Sequence, residues 1–423
     1  MRIRMNSLLN ILLPMCLLGF TGAYLVYFNR IFNENTRWIF FIGIFTFLIL
    51  RKSLLRFWDP VLVLIISVYL IWCFLTSFWS NVYILSLSKS AMLSLIIITM
   101  VTAGIEWVKT RSWENSINYI GLLAYIAFFA AFFGKFEGMA ASSIPGTPYR
   151  GAFVTGTNML GFYMAASFPF FLWKAYQQKM RSKKHLIQLL LVLGCGFFLL
   201  ASMSRGAIAA TLATLIGFIF SINLNKKIVF VFFSIIALIS LSIFYPDKIM
   251  EIVGTYFFKS TYQKNVVQDV LSSRRLVWQK SYDAAVEGGW LGLGYGVSMG
   301  DSSFNFDYGL TSSHYGREKG NSQLAIVEET GLVGLILYFV LLLTFLFKLI
   351  KLYLKIHDPH QRVLIGILSG IFMGMIAQSI FEGWWDAPAG PETVYFWLLV
   401  GVIRGLEITI GKTRAIPVNN FGV

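Results

Sequence analysis

The stretch that decides the fold class is Lys319–Phe347, with the sequence KGNSQLAIVEETGLVGLILYFVLLLTFLF. Its first part is polar and carries two adjacent carboxylates, Glu328 and Glu329, whereas the part after Gly331 is almost entirely apolar. A bilayer-spanning helix needs about 20 mostly apolar residues, and this run is long enough. The stretch therefore predicts a transmembrane helix that begins beside a polar site.

The composition of the whole chain agrees with that prediction. Of its 423 residues, 57% are hydrophobic and only 13% are charged, whereas soluble domains carry about 25% charged residues. This excludes a soluble enzyme, a disordered protein and a disulfide-rich secreted domain. The three cysteines, Cys16, Cys73 and Cys195, lie far apart in apolar runs, which indicates core packing.

The hydropathy pattern predicts an all-α polytopic membrane protein with about twelve transmembrane helices. The predicted spans are Ser7–Phe28, Trp38–Leu50, Pro60–Phe78, Ile84–Ile105, Ile117–Gly134, Ala152–Trp173, Leu186–Met203, Gly206–Ile222, Ile228–Tyr245, Ala325–Phe347, Val363–Phe381 and Thr393–Thr409.

The distribution of basic residues predicts the orientation. With the N-terminus in the cytoplasm, 21 of the 35 lysines and arginines fall in cytoplasmic segments and 6 in the short outer segments. This bias follows the positive-inside rule and places both termini in the cytoplasm. It also explains most of the net charge of +15 as topology rather than nucleic-acid binding.

The spans divide the chain into three parts. Residues 1–245 hold spans one to nine, residues 246–324 form one large outer loop, and residues 325–423 hold the last three spans and a cytoplasmic tail. A loop of that length is usually functional or disordered, and its aromatic residues predict ordered helices. Ser272–Glu287 is predicted as an amphipathic helix anchored by Leu276, Trp278, Tyr282 and Ala285.

Two arginines are candidates for an anion site. Arg205 stands in the very short turn between the seventh and eighth spans, where its guanidinium fork can bind a phosphate. Arg274 lies in the outer loop, four residues before Trp278 and therefore on the same helix face. Roles without anion binding stay open for both residues. Arg205 can be a side chain that snorkels to the membrane interface, and Arg274 can be a surface charge.

Further polar residues on the outer side extend the candidate site. Three roles are open for Glu328 and Glu329: they act as general bases, pair with the arginines, or are solvated at the membrane interface. Asn158 either lines a cavity or caps a helix. His314 titrates near neutrality and is either a base or an ordinary loop residue. The outward cations beside them are Arg150, Arg317 and Lys319.

The last outer loop, which begins at Glu382, pairs carboxylates with Trp384 and Trp385. Surfaces of this kind can bind sugars. We interpret the two tryptophans as part of an interfacial aromatic belt.

In their order and spacing these motifs resemble the O-antigen ligase and polymerase superfamily of bacterial envelope glycan assembly. The motifs span Gly151–Leu335, and the first 150 residues match in hydropathy alone. The matching features are Gly156-x-Asn158-x-x-Gly161, Ser204-Arg205-Gly206, Arg274-x-x-x-Trp278 with Gly292-x-Gly294, and Asn321 followed by Gly331-x-x-Gly334.

The resemblance implies a GT-C-like fold and metal-independent glycosyl transfer at the bacterial inner membrane, without a cofactor. Such proteins take a glycan from an undecaprenyl diphosphate carrier and pass it to lipid A core (ligases) or to another lipid-linked repeat unit (polymerases). By this resemblance Arg205 and Arg274 hold the diphosphate. The predicted substrate-cavity residues are Arg150, Asn158, Arg317, Lys319 and Asn321.

One departure bears on the assignment. Ligases carry a His-Asn pair that is separated by nine residues from a Gly-x-x-Gly motif, and here the spacing is the same but Gly320 stands at the histidine position. Either His314 or Glu328 acts as the base, or the transfer is driven by leaving-group stabilisation alone, and the departure favours a polymerase over a strict ligase. A lipid-linked glycan transporter (a flippase) and a non-catalytic assembly subunit are the alternatives from other functional classes.

Overall fold

The structure is a computed structural model that describes residues 2–25, 28, 30–32, 36–110, 113–132, 151, 157–179, 182–223, 278–299, 319–385 and 387–413. Within these ranges the chain forms helices, turns and short connections, without a β-strand. The described part of the chain is therefore all-α, as the hydropathy pattern predicts.

Eleven of the twelve predicted spans each overlap a helix, and the ninth, Ile228–Tyr245, lies outside the described residues. A short helix at 278–288 lies within residues 246–324, which the sequence predicts as the large outer loop. The long helices are α1 (Arg2–Gly22), α2 (Thr36–Leu50), α3 (Pro60–Thr76), α4 (Tyr83–Thr110), α5 (Trp113–Phe132), α6 (Thr157–Gln177), α7 (Lys183–Ala201), α8 (Arg205–Ser221), α9 (Ser322–Lys355), α10 (Pro359–Ser379) and α11 (Pro391–Thr413).

Several of these helices can cross a membrane by length and composition. Among the described residues, six segments qualify, in α3, α4, α7, α9, α10 and α11, and four shorter apolar helices lie in α1, α2, α5 and α8. The protein is therefore an integral membrane protein.

The two ends of the bundle differ in their polar contacts. At one end Asp59 caps α3 through the amides of Val61 and Leu62 and pairs with Lys348 of α9 at 2.8 Å. Burial raises the pKa of Asp59, but the hydrogen bond from Lys348 and the two amides outweigh it and hold the pKa below its usual value. Glu106 of α4 pairs at the same end with Arg51, at 3.1 Å. These contacts link α3 to α9, and α4 to the connection between α2 and α3, where the sequence predicts the cytoplasmic side.

Small residues allow two pairs of helices to pack closely. A Cβ atom added at Gly374 of α10 would lie 2.6 Å from the carbonyl oxygen of Ala210 in α8. One added at Gly104 of α4 would lie 2.8 Å from the carbonyl oxygen of Leu398 in α11. Such backbone contact is typical of membrane helices, where van der Waals packing drives association. It fixes α8 against α10, and with them the residues at their ends.

Helix α9 is interrupted where its polar part meets its apolar part. Gly331 has φ 70° and ψ −176°, a conformation that favours glycine. A side chain there would overlap the carbonyl group of Trp290 in the outer loop. The interruption therefore lets the outer loop pack into the side of α9.

The helix at 278–288 corrects one prediction about the outer loop. Tyr282 is 57% exposed and does not anchor the helix, whereas Ser281, Ala284 and Ala285 are buried. The buried face consists of small residues because the helix lies very close to α9: a Cβ atom at Gly288 would be 2.6 Å from the carbonyl oxygen of Val327. Ala285 is an anchor as predicted, and Leu276 lies outside the described residues.

Candidate functional site

Side chains of the resemblance motifs meet at the end of the bundle where α9 begins and α10 ends, which we call the site end. Asn158 Nδ2 of α6 donates to Glu382 Oε1 at 2.8 Å. Asn321 caps α9 and donates to the carbonyl oxygen of Ile380 at 3.0 Å. Ser322 Oγ donates to the carbonyl oxygen of Glu382 at 2.9 Å. The starts of α6 and α9, which are far apart in the sequence, therefore both contact the segment 380–382.

Arg205 lies at the same end, as the first residue of α8. The turn before it is tight: Met203 adopts φ 52°, which is uncommon for a residue with a side chain. Gly161 of α6 packs on this turn, since a Cβ atom there would lie 2.6 Å from Ser204 Cβ. Gly206 faces α10, where a Cβ atom would lie 3.4 Å from Phe381 Cβ. Both glycines of the motifs therefore serve close packing that holds Arg205 beside the segment 380–382.

The N-terminus of α8 favours an anion for a second reason. The first amides of an α-helix have no partner within the helix, and the hydroxyl of the N-cap residue Ser204 makes no capping hydrogen bond. The amides and the positive end of the dipole at a helix N-terminus bind phosphate and carboxylate groups. With Arg205 adjacent, this terminus can hold a phosphate group.

A buried ion cluster lies beside the site. Lys319 Nζ pairs with Glu329 Oε1 and lies 3.7 Å from Glu328 Oε2. The side chains of Lys319, Glu328 and Glu329 are 5%, 0% and 1% exposed. The two carboxylates are therefore partners of a lysine, and not of an arginine, within the described residues.

Both carboxylates also hold the glycine-rich loop of residues 292–299. Glu329 accepts from the amide of Gly296 at 2.7 Å, and Glu328 accepts from the amide of Met299 at 2.9 Å. Gly292, Gly294 and Gly296 all adopt positive φ, so the loop can fold around them. This environment disfavours Glu328 as the base, because its carboxylate is enclosed and holds the loop in place.

The tryptophans of the last outer loop lie in the core. Trp384 and Trp385 are 4% and 2% exposed, and Trp385 Nε1 donates to the hydroxyl group of Tyr69 at 2.8 Å. The interpretation as an interfacial belt is therefore wrong, because Trp385 packs against Tyr69 of α3, Tyr338 of α9 and Trp397 of α11, and Trp384 packs against Phe396 of α11. Their burial anchors the loop that carries Glu382.

An apolar cavity of about 170 Å³ lies between α6, α8, α10 and α11. Gln378 and Tyr395 line it at the site end, and Trp173 and Leu364 line it toward the opposite end. Few polar residues line the cavity, and Thr214, midway along α8, is one of them. An apolar space bounded by Gln378 at the site end can hold a hydrocarbon chain.

The site therefore brings together five of the nine residues predicted from the sequence. Asn158, Arg205, Lys319, Asn321 and Glu328 meet at the site end, while Arg150, Arg274, His314 and Arg317 lie outside the described residues. Sequence reasoning gave Glu382 no role of its own. The sequence feature that points to such a residue is Asn158, because its side-chain amide needs a hydrogen-bond acceptor.

Comparison with known proteins gives one family. Residues 189–339 match the family model described as O-Antigen ligase. The matched region holds α8, Arg205, the outer loop and the polar start of α9. No curated protein matches the chain. The family match confirms the superfamily to which the sequence motifs point.

Proposed function

We propose, from the premise that this chain carries the O-antigen ligase family region, that it transfers a glycan from undecaprenyl diphosphate to an acceptor. The reaction takes place at the outer face of the bacterial inner membrane. One observation carries the proposal: Arg205 lies at the amide-rich start of α8, beside the upper end of the apolar cavity at Gln378. That is the arrangement a lipid diphosphate requires.

The diphosphate becomes the leaving group of this reaction, and negative charge develops on it as the sugar is transferred. A preorganised cation lowers the barrier when it binds the diphosphate more strongly in the transition state than in the ground state. We assign this role to Arg205 with the amides of α8, and by the resemblance to Arg274. Arginine suits the role because its fork binds two oxygens at once.

The apolar cavity between α6 and α10 would hold the first isoprene units of the carrier. Its lining by Phe162, Pro169 and Leu398 offers hydrocarbon contacts along the length of the bundle. The family relationship supports a lipid-linked donor, and the acceptor, a glycan or a lipid, follows from the resemblance alone.

A transporter of lipid-linked glycans is the second candidate, and the charge distribution disfavours it. Transport needs ionisable groups near the bilayer midplane. Among the described residues, the buried charged side chains lie near helix ends or in the polar start of α9. They are Arg37, Glu106, Lys319, Glu328, Glu329 and Glu392.

The glycan ladder of a deletion strain tests the proposed function and separates its two forms. Loss of a polymerase leaves single repeats on the acceptor, whereas loss of a ligase leaves full-length chains on the carrier. Because Gly320 replaces the histidine of ligases, we expect the polymerase pattern. A normal ladder, or a loss of lipid-linked glycan from the outer face, would contradict transfer by this chain.

Cysteine labelling tests the orientation. The three native cysteines are free and buried, so introduced thiols can be labelled without removing them. We expect Met299→Cys, at a side chain 50% exposed on the site end, to react with an impermeant maleimide in spheroplasts. His357→Cys, exposed between α9 and α10, should react only after permeabilisation. The reverse pattern would overturn the orientation.

A further inference from the structure

Glu382 is the feature of the site end that the proposed transfer leaves unused. It lies in the short segment between α10 and α11, and its side chain is half-buried. Its backbone is fixed on both sides, because its amide donates to the carbonyl oxygen of Gln378 at 3.0 Å and its carbonyl oxygen accepts from Ser322 Oγ at 2.9 Å. Asn158 Nδ2 orients its carboxylate at 2.8 Å.

Exposure separates Glu382 from the other carboxylates described at this end. Glu328 and Glu329 are 0% and 1% exposed and pair with Lys319, and Glu392 is 8% exposed at the start of α11. Glu382 is more accessible than these three. A group that takes a proton from a substrate must reach that substrate, so Glu382 fits this requirement best among these four carboxylates.

The position of Glu382 relative to Arg205 also fits the chemistry. Gly206 follows Arg205 in the sequence, and Phe381 precedes Glu382. These two residues pack closely, because a Cβ atom added at Gly206 would lie 3.4 Å from Phe381 Cβ. The backbone of Glu382 therefore lies beside the start of α8. A sugar attached to a diphosphate at Arg205 would lie within reach of both side chains.

We propose that Glu382 is the general base of the transfer, and that Asn158 is the residue that positions it. This inference rests on the proposed function. The acceptor hydroxyl oxygen forms a bond to the anomeric carbon while its proton passes to the Glu382 carboxylate. The bond from that carbon to the diphosphate oxygen breaks, and the diphosphate leaves with the electron pair. The proton is then released to water.

The hydrogen bond from Asn158 explains why a neutral amide occupies the start of α6. An amide NH₂ group stabilises and orients an ionised carboxylate without adding a charge that would form a competing ion pair. In this proposal the Glu382 carboxylate, in the connection between α10 and α11, takes the role that the histidine has in ligases.

Two substitutions of Glu382 separate catalysis from structure. Glu382→Gln keeps the size and an oxygen acceptor for Asn158 but cannot take the proton, whereas Glu382→Asp keeps the carboxylate on a shorter side chain. If Glu382 is the base, Glu382→Asp should be more active than Glu382→Gln. If its role is purely structural, Glu382→Gln should be the more active variant. Transfer is assayed with lipid-linked donor and acceptor extracted from the deletion strain, and Glu287→Gln, at an exposed carboxylate on the helix at 278–288, is the matched control.

For Glu382→Gln we expect kcat to fall by about 10²-fold or more, with KM for the donor within a few-fold of wild type and unchanged thermal stability. Asn158→Ala should lower kcat less. Near-normal kcat in Glu382→Gln overturns the assignment, as does a loss expressed in KM alone. Loss in His314→Ala with normal Glu382→Gln would move the role to the histidine. If the wild-type protein transfers no glycan, the proposed function itself fails.

Discussion

Replacing Arg205 by alanine is expected to lower the rate of glycan transfer by about 10²–10³-fold, the usual effect of removing one preorganised donor from a developing negative charge. Arg205 is the first residue of α8 and is half-buried, and the neighbouring Gly206 packs against Phe381. Insertion and thermal stability of the variant are measured alongside activity, so that a folding defect is distinguished from a loss of catalysis. The measurement is transfer activity at matched expression, together with binding of undecaprenyl diphosphate.

Arg205→Lys sharpens this test. A lysine keeps the charge but replaces the bidentate fork with a point charge, so we expect activity to remain well below wild type. Arg56→Ala is the control, because Arg56 is an exposed arginine at the opposite end of the bundle. Full activity in Arg205→Lys would indicate that charge alone is needed. Near-normal transfer in Arg205→Ala would remove this residue from the diphosphate site.

The sequence predicts the helices of this protein well because the bilayer imposes a length and an apolar composition on each span. The site end is predicted less completely. Asn158, Arg205 and Asn321 were found because glycine and polar residues interrupt otherwise apolar segments there. Nothing in the local pattern, however, shows that Asn158 and Asn321 both contact the segment 380–382, since those contacts join residues more than fifty positions apart.

Two interpretations failed for related physical reasons. Tyr282 was expected to be buried because it is large and apolar, but the close approach of its helix to α9 admits only small residues at the interface. Trp384 and Trp385 were expected at the membrane surface, but they fill the core beside Tyr69. Hydrophobicity predicts that a residue avoids water, and it does not distinguish lipid from protein interior.

The role of Glu328 shows the same limit for charges. A carboxylate at the start of a membrane helix is expensive unless it is paired, and the sequence offers several nearby cations as partners. Lys319 is the cation that pairs with Glu328 because the turn before Ser322 lies against the backbone around Gly383. That packing comes from the far end of α10 and leaves no trace near residue 328.

The second large effect is expected at Lys319. Its ammonium group is the cation that the described residues place between Glu328 and Glu329, and all three side chains are almost fully buried. Removing one partner of a buried ion pair costs about 3–5 kcal/mol, because it leaves an uncompensated charge in a medium of low dielectric constant. We therefore expect Lys319→Met, which keeps most of the apolar stem, to lower the free energy of unfolding by that amount.

The loop of residues 292–299 should respond as well. Glu328 and Glu329 accept the amides of Met299 and Gly296, so two repelling carboxylates would loosen these contacts. Limited proteolysis of Lys319→Met should then cut near the loop before it cuts elsewhere. Lys280→Met is the matched control, since Lys280 is exposed on the helix at 278–288 and its loss should change neither stability nor cleavage.

A triple variant identifies the physical cause of the loss. Lys319→Met combined with Glu328→Gln and Glu329→Gln removes all three charges while each glutamine keeps an oxygen for its amide partner. If unpaired charge is the cause, the triple variant should regain much of the stability that Lys319→Met loses, measured by chemical denaturation in mild detergent. Equal stability of Lys319→Met and Lys280→Met would show that the cluster contributes nothing. A triple variant no more stable than Lys319→Met would assign the loss to packing of the lysine, because neutralising the carboxylates would then have relieved no repulsion.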